Sequence, residues 1–151
     1  MSIEQLRVAF QGDRGAFSEL AVRHWWRGTG EPLPCPTFTS AIDAVVDGRA
    51  DAAVIPVENR IVGDVHGALD ALAAAGIAIR ITSHVTVPVQ HALLAHDGAT
   101  LASVRVVRSH PVALAQCGAF LARHGYVTEE AWDTAGAARA VAESGEVQAA
   151  A

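Results

Sequence analysis

Short apolar runs alternate with amphipathic segments along most of this chain. The runs that predict strands occupy residues 6–10, 52–56, 104–107 and 126–130. Segments of helical period predict helices at 16–26, from 39 to the glycine at 48, and at 65–75, 109–124 and 134–144. Strands that alternate with helices in this way are typical of an α/β fold with a parallel sheet.

Three further segments complete the predicted fold. Pro32, Pro34 and Pro36 are expected to interrupt regular structure between the first two helices. Residues 77–94 are predicted to be rich in strand, broken at Pro88, and to hold the crossover from a first lobe to a second. Another strand is expected from Val147 onward, and because it runs into the end of the sequence it is interpreted as truncated.

Composition limits the class of protein. The 151 residues, 51% of them apolar, suffice for about one ordinary domain with a real core. The chain has no Lys and a net charge of −5, and it lacks a basic run, so a nucleic-acid partner is not expected. Cys35 and Cys117 form neither a disulfide framework nor a metal-ligand pair, which favours a reducing, cytoplasmic setting. Neither a signal peptide nor a membrane-spanning segment is predicted.

The seven histidines do not have metal-ligand spacing. Structural or surface roles are therefore predicted for His24, His66, His91, His96 and His124, and no zinc site is expected. No nucleotide or metal motif is present, so no cofactor is predicted.

Residues 109–117 indicate the start of a helix with an anion site. Ser109 is a favourable N-cap residue, and Pro111 lies in the first turn, where a missing N–H costs little. Gln116 and Cys117 follow on an otherwise small, apolar helix, where a buried amide needs a partner. The alternative is an ordinary capped helix that binds nothing.

Four motifs in a fixed order resemble one enzyme family. They are Gln11–Gly12–Asp13–Arg14–Gly15–Ala16–Phe17–Ser18–Glu19, Pro56–Val57–Glu58–Asn59, Ser109–His110–Pro111–Val112–Ala113–Leu114–Ala115–Gln116–Cys117, and Asp133–Thr134–Ala135–Gly136–Ala137–Ala138. Together they resemble the dehydratase domain of prephenate dehydratase. The residues of the first and last motifs are closer to those of the branch that includes arogenate dehydratases. The resemblance implies a two-lobed α/β fold like that of type II periplasmic binding proteins, with a ligand cleft between the lobes. It also implies a lyase of phenylalanine biosynthesis that converts prephenate to phenylpyruvate.

The resemblance assigns residues 1–84 to the first lobe and 85–151 to an incomplete second lobe. The family continues with a Thr-Arg-Phe motif, which carries its catalytic acid, and commonly with a regulatory ACT domain. The sequence contains no Thr-Arg pair and no ACT domain. This length of chain is therefore expected to be incomplete as a catalyst.

Within the motifs, the predicted catalytic residues are Glu58, Asn59, Gln116 and Thr134. The predicted substrate-binding residues are Gly15, Ala16, Phe17, Ser18, Arg60, Ser109, His110, Cys117 and Ala135. Because the chain has no Lys, backbone N–H groups at helix starts are expected to bind a dianionic substrate.

Individual roles follow from side-chain chemistry. Asn59 and Gln116 are expected to bond the substrate hydroxyl or its keto-acid tail. Glu58 would repel a dianion and is expected to orient its neighbours. Thr134 is predicted to cap the last helix, and His110, at a helix start, is predicted to be neutral. Arg60 replaces the serine usual in the family, and either binds a carboxylate bidentately or points to solvent.

Two alternatives to a prephenate lyase stay open. One is a non-catalytic bilobal module that binds a small carboxylate, and the other is an arogenate dehydratase. An unfinished strand edge also suggests a homo-oligomer, formed by strand exchange between copies.

Overall fold

The computed structural model describes residues 6–151. The chain divides into two compact units, the first ending at Pro88 and the second covering Val89–Ala151. Each is described by itself. The lobe boundary predicted between residues 84 and 85 stays a prediction.

The first unit is built on a parallel sheet of three strands. Its elements are β1 (Arg7–Gln11), α1 (Phe17–Trp25), β2 (Glu31–Cys35), α2 (Phe38–Val46), β3 (Ala52–Val54), β4 (Glu58–Asn59), β5 (Gly63–Asp64) and α3 (His66–Ala75), followed by one 3-10 turn at Gly76–Ala78. The sheet has the order β2-β1-β3, and β4 and β5 form a separate antiparallel pair. The first strand of the unit is therefore the central one.

The second unit repeats this connectivity. Its elements are β6 (Val106–Ser109), α4 (Pro111–Gln116), α5 (Gly118–His124), β7 (Val127–Glu130), α6 (Thr134–Ser144) and β8 (Ala149–Ala150). The strands are parallel in the order β7-β6-β8, so the first strand again lies in the centre. The predicted α/β class is confirmed in both units.

The central strand β1 is buried on both faces. Val8 and Phe10 pack with Val22 of α1, whereas Ala9, which points the other way, packs with Ala41 and Ala44 of α2. Side chains alternate between the faces of a strand, and a parallel sheet covered by helices on both faces is apolar throughout. This explains why the first predicted strand is a continuous apolar run.

The proline-rich segment forms a strand, which corrects the prediction that it would interrupt regular structure. Pro32 and Pro34 lie in β2, at the edge of the sheet. The Glu31 N–H donates to the Leu6 carbonyl at 2.7 Å, so the N–H groups of the odd-numbered residues of β2 point toward β1. Because successive N–H groups point to opposite sides, both prolines face the open edge, where no N–H is needed.

The strand-rich prediction for residues 77–94 is wrong. The structure has a 3-10 turn at the start of this segment and no strand between residues 79 and 94. The first pairing is the isolated antiparallel bridge of Ala95 with Ala150. Alternating apolar residues favour a strand only where a neighbouring strand receives its backbone hydrogen bonds.

The helix predicted at 109–124 is divided in two. It starts later than predicted because β6 extends through Ser109, and α4 begins at Pro111. Cys117 lies between α4 and α5 with φ −93° and ψ 2°, outside the helical range. Gly118 follows, and its low helix propensity accounts for a break at this position.

We expect Phe10→Ala to lower the free energy of unfolding by about 3–5 kcal/mol, because it removes a fully buried ring that α1 packs against. Urea unfolding followed by tryptophan fluorescence measures this. Ile61→Ala, at a side chain that is 80% exposed, serves as the control and should cost less than about 0.5 kcal/mol. Equal losses in the two variants would contradict the described core.

Candidate functional site

All four sequence motifs lie where parallel strands end. In the first unit, one motif follows β1 and another follows β3, which is paired with β1. In the second unit, one motif begins at the last residue of β6 and the other follows β7, which is paired with β6. Ligands of open parallel sheets bind at the carboxyl ends of the strands, where the strand order reverses. Each unit thus collects two motifs at the edge that such sheets use for binding.

The turn between β1 and α1 is held by its own carboxylate. Gly12 and Gly15 have φ of +115° and +92°, which favour glycine. The Gly15 N–H donates to Oε2 of Glu19 at 2.6 Å, and Arg23 donates to Oε1 of the same carboxylate. The N-cap residue Ala16 has no side chain that can cap the helix. Glu19, at the third helical position, accepts the N–H of Gly15, one residue before the N-cap, whereas the glutamate of a capping box accepts the N–H of the N-cap residue itself.

The Glu19 carboxylate is ionised within the protein interior. Only 4% of the residue is exposed. Burial raises the pKa of Glu19, but the hydrogen bond from Gly15 and the charge of Arg23 outweigh burial, so its pKa lies below the ordinary value. Glu19 was part of a motif, yet no role was predicted for it. The sequence signal for a role in this turn is the position of Glu19, three residues after the N-cap residue Ala16. Phe17 and the half-buried Ser18 start the helix beside it.

The Pro56–Asn59 motif orients an amide. Asn59 Oδ1 accepts hydrogen bonds from the N–H groups of Ile61 and Val62, at 2.9 and 3.2 Å. These bonds fix the side chain, and its Nδ2 has no hydrogen-bond partner within residues 6–151. Glu58 and Arg60 are both exposed, and neither forms a salt bridge with another described residue. The geometry supplies Asn59 as a fixed donor and leaves its two charged neighbours accessible.

Ser109 is not the N-cap that the sequence predicts. It ends β6, is 8% exposed, and its carbonyl accepts the Ala131 N–H at 2.9 Å. The cap is His110, whose Nδ1 accepts the Val112 N–H at 3.2 Å. Because Ser109 stays paired in β6, the N-cap falls one residue later than predicted, at His110. Nδ1 thus acts as the acceptor of this cap. The neutral charge of His110 stays a prediction.

Gln116 is the one described residue with a buried side-chain polar atom that has no partner. Its Nε2 is shielded from solvent without a hydrogen bond, while Oε1 lies 2.7 Å from His91 Nε2. A buried amide left in this state costs about 1–3 kcal/mol unless a ligand or water satisfies it. Cys117 is partly buried, and its thiol is free. A structural or surface role is predicted for His91, and no sequence signal links it to a residue 25 positions away.

The last motif begins α6. Asp133 is the N-cap, and its Oδ1 accepts the Gly136 N–H at 2.6 Å, so the prediction that Thr134 caps this helix is wrong. Asp133 stands one residue before the first helical residue, where an N-cap side chain reaches the third N–H. Thr134 and Ala135 occupy the first helical turn and are half-buried. Thr134 is thereby left free to offer its hydroxyl.

Other features of the described residues lie apart from the motifs. A depression of about 360 Å³ in the second unit is lined by Leu93, Val104 and the loop between them, without any predicted site residue. Among residues 6–151, no group of three or more His, Cys, Asp or Glu side chains could hold a metal ion. The helices within that range are all too short or too polar to cross a bilayer.

Known proteins share both the sequence and the fold. Residues 8–151 match the family described as prephenate dehydratase. An arogenate dehydratase/prephenate dehydratase of Arabidopsis thaliana, named as chloroplastic, is 41% identical over 138 residues, which are 91% of this chain and 35% of the relative. A bifunctional N-acyl-homoserine lactone acylase/prephenate dehydratase of Komagataeibacter europaeus is 42% identical over 138 residues, 91% of this chain and 48% of the relative.

A solved prephenate dehydratase from Arthrobacter aurescens, in complex with L-Phe, superimposes with a TM-score of 0.82 at 30% identity, covering 90% of this chain and 46% of that one. The fold is therefore α/β and is like that of type II periplasmic binding proteins. The chain belongs to the prephenate dehydratase family. It spans between a third and a half of the length of these relatives. The residue roles, the cytoplasmic setting and the homo-oligomer stay predictions.

Glu19→Gln should destabilise the chain by about 1 kcal/mol at pH 7, since the neutral amide lacks the charge that Gly15 and Arg23 stabilise. The pKa of Glu19 is lowered in the folded state, so this stabilisation is complete well above its ordinary pKa of 4.5. It is lost as the pH falls through the lower folded-state pKa. Urea unfolding at pH 7, 5 and 3.5 measures the trend.

The matched control is Glu143→Gln, at a side chain that is 72% exposed and 4.0 Å from Arg139. It should change stability by less than about 0.5 kcal/mol at every pH. A loss in Glu19→Gln that does not shrink toward low pH would show that the ionised carboxylate is not what stabilises the turn.

Proposed function

We propose that the protein containing this chain catalyses the decarboxylating dehydration of prephenate. The bond to the ring carboxylate breaks and its electron pair enters the ring, which becomes aromatic. The ring hydroxyl leaves as hydroxide and takes up one proton. The products are phenylpyruvate, carbon dioxide and water, so the redox state is unchanged and no redox cofactor is required.

The observation that carries this proposal is a pair of side-chain amide donors without a protein partner where the motifs follow the strands, of which the one on Gln116 is buried. Asn59 Nδ2 and the buried Gln116 Nε2 have no protein partner within residues 6–151. Both groups donate hydrogen bonds, as a substrate with two carboxylates and a hydroxyl requires. Relatives named for this activity, at 41% and 42% identity, support the same conclusion.

The negative charge of the substrate has to be neutralised by groups close to it, because the chain has a net charge of −5 and no Lys. Fixed N–H donors of amides and helix starts bind carboxylates without a mobile cation. Of the predicted starts, α6 is suited to this since Thr134 stands beside its free N–H groups. The start of α1 is less suited, because the Glu19 carboxylate already accepts the Gly15 N–H.

The departing hydroxide needs a proton donor or a hydrogen-bond donor. Within the motifs, Thr134 offers a hydroxyl and Glu58 offers a carboxyl that is accessible to solvent. Thr134 fits this role better, because an ionised Glu58 would repel a dianionic substrate.

Arogenate is the second candidate substrate. It differs from prephenate by an amino group in place of the side-chain keto group, and several relatives are named arogenate dehydratases. An ultraviolet assay for phenylpyruvate, run beside amino-acid analysis for phenylalanine, separates the two. Product from neither substrate in the intact gene product would overturn the proposed function and favour a module that only binds carboxylates.

Gln116→Ala should lower kcat/KM for the active substrate by about 10- to 100-fold, since it removes a desolvated donor. Steady-state kinetics on the intact gene product measures this. Gln148→Ala, at an exposed position of the same unit, is the matched control and should leave kcat/KM within about twofold. A Gln116 variant as active as the control would remove this residue from the site.

Arg60→Ser restores the residue usual in the family and tests whether the cation binds a substrate carboxylate. We expect KM to rise about 3- to 10-fold with little change in kcat, because an exposed ion pair holds substrate and transition state equally. Arg80→Ser, which removes another exposed arginine of the first unit, is the control. An unchanged KM would assign Arg60 to solvent.

A further inference from the structure

His91 bonds the one described side chain whose buried amide group lacks a partner. A carboxamide has two donors on nitrogen and acceptor sites on oxygen, so a bond at the oxygen fixes where the nitrogen points. His91 Nε2 lies 2.7 Å from Gln116 Oε1, and the opposite end of the amide, Nε2, is buried and unbonded. We propose that His91 is a positioning residue that turns the N–H donors of Gln116 toward a substrate oxygen. This inference rests on the proposed function, which supplies the substrate.

The segment that carries His91 is fixed by the core of the second unit. Leu93 packs against a buried cluster that Cys117 also contacts, next to Gln116. The Leu94 N–H and carbonyl both pair with Ala151, at 2.9 and 2.8 Å. The His91 side chain is exposed, but residues next to both ends of the hydrogen bond are anchored to the same core. A contact anchored in this way positions a side chain, whereas a contact between two unsupported surface groups does not.

The direction of the amide decides what it can bind. Gln116 Oε1 only accepts hydrogen bonds, so His91 must donate to it, and this requires the proton on Nε2. Without this bond the carboxamide can rotate by half a turn and present Oε1 instead. An oxygen acceptor repels a carboxylate or an alkoxide, whereas two N–H donors bind it. His91 thus selects the one orientation that suits an anionic substrate.

Two variants of similar size test the direction of this bond. Glutamine places an N–H donor as many bonds from Cα as His Nε2, and asparagine places it one bond short. We expect His91→Asn to lower kcat/KM by about tenfold and His91→Gln to stay within about threefold of the parent. His96→Ala, whose ring bonds the Asp97 carbonyl, should leave kcat/KM unchanged. Equal losses in the Asn and Gln variants would overturn the donor role.

A double-mutant cycle separates positioning from a role in folding. In the Gln116→Ala background, His91→Asn should have no further effect on kcat/KM, because no amide is left to orient. Additive losses would overturn the proposal, since they would show that His91 acts independently of Gln116.

Nuclear magnetic resonance tests the contact without relying on activity. Long-range 1H–15N spectra of the 15N-labelled protein should show the His91 proton on Nε2, and the Gln116 amide resonances should shift in His91→Asn but not in His96→Ala. A ring with its proton on Nδ1 and none on Nε2 would overturn the proposal. If the intact gene product converts neither prephenate nor arogenate, the proposed function fails together with the substrate part of this inference. The spectra still decide whether His91 orients Gln116.

Discussion

The parallel pairing of each unit around its first strand is the constraint on which the rest of the structure depends. Because the strands run in the same direction, their carboxyl ends meet at one edge of each sheet. Segments that are far apart in the sequence, such as Gly12–Glu19 and Pro56–Asn59, then follow neighbouring strands. The same pairing brings the turns after β6 and β7 together in the second unit. In the first unit the apolar strand β1 makes this possible, since helices α1 and α2 pack against its two faces.

Two side-chain amides lie at these edges, one in each unit. Asn59 and Gln116 each use their amide oxygen within the protein, and the nitrogen has no hydrogen-bond partner among the described residues. Glu19 has a different part, because its ionised carboxylate stabilises the turn after β1. The Gly15 N–H that this carboxylate accepts is then not available to bind another anion. In the second unit, Gln116 Nε2 has no hydrogen-bond partner within the described residues, and we therefore assign the carboxylate mainly to this unit.

Much of this architecture follows from sequence patterns that act locally. The α6 helix at Thr134–Ser144 and the end of α3 at Gly76 were predictable, because Ala-rich periodicity and glycine specify them without help from distant residues. The predictions that proved wrong concern segments whose structure depends on contacts with distant residues. Edge pairing lets Pro32 and Pro34 join a strand, and residues 79–94 have no strand beside them. The His91–Gln116 bond is likewise invisible in the sequence, since it depends on how the core places two distant segments.

We propose that the carboxyl ends of the parallel strands bind the substrate. Titration of the 15N-labelled intact protein with phenylpyruvate, followed by amide chemical shifts, tests this. Shifts are expected to be concentrated in residues that follow β1, β3, β6 and β7, including Asn59 and Gln116. Shifts concentrated instead at the amino ends of these strands, or in the Leu93–Val104 depression, would contradict it.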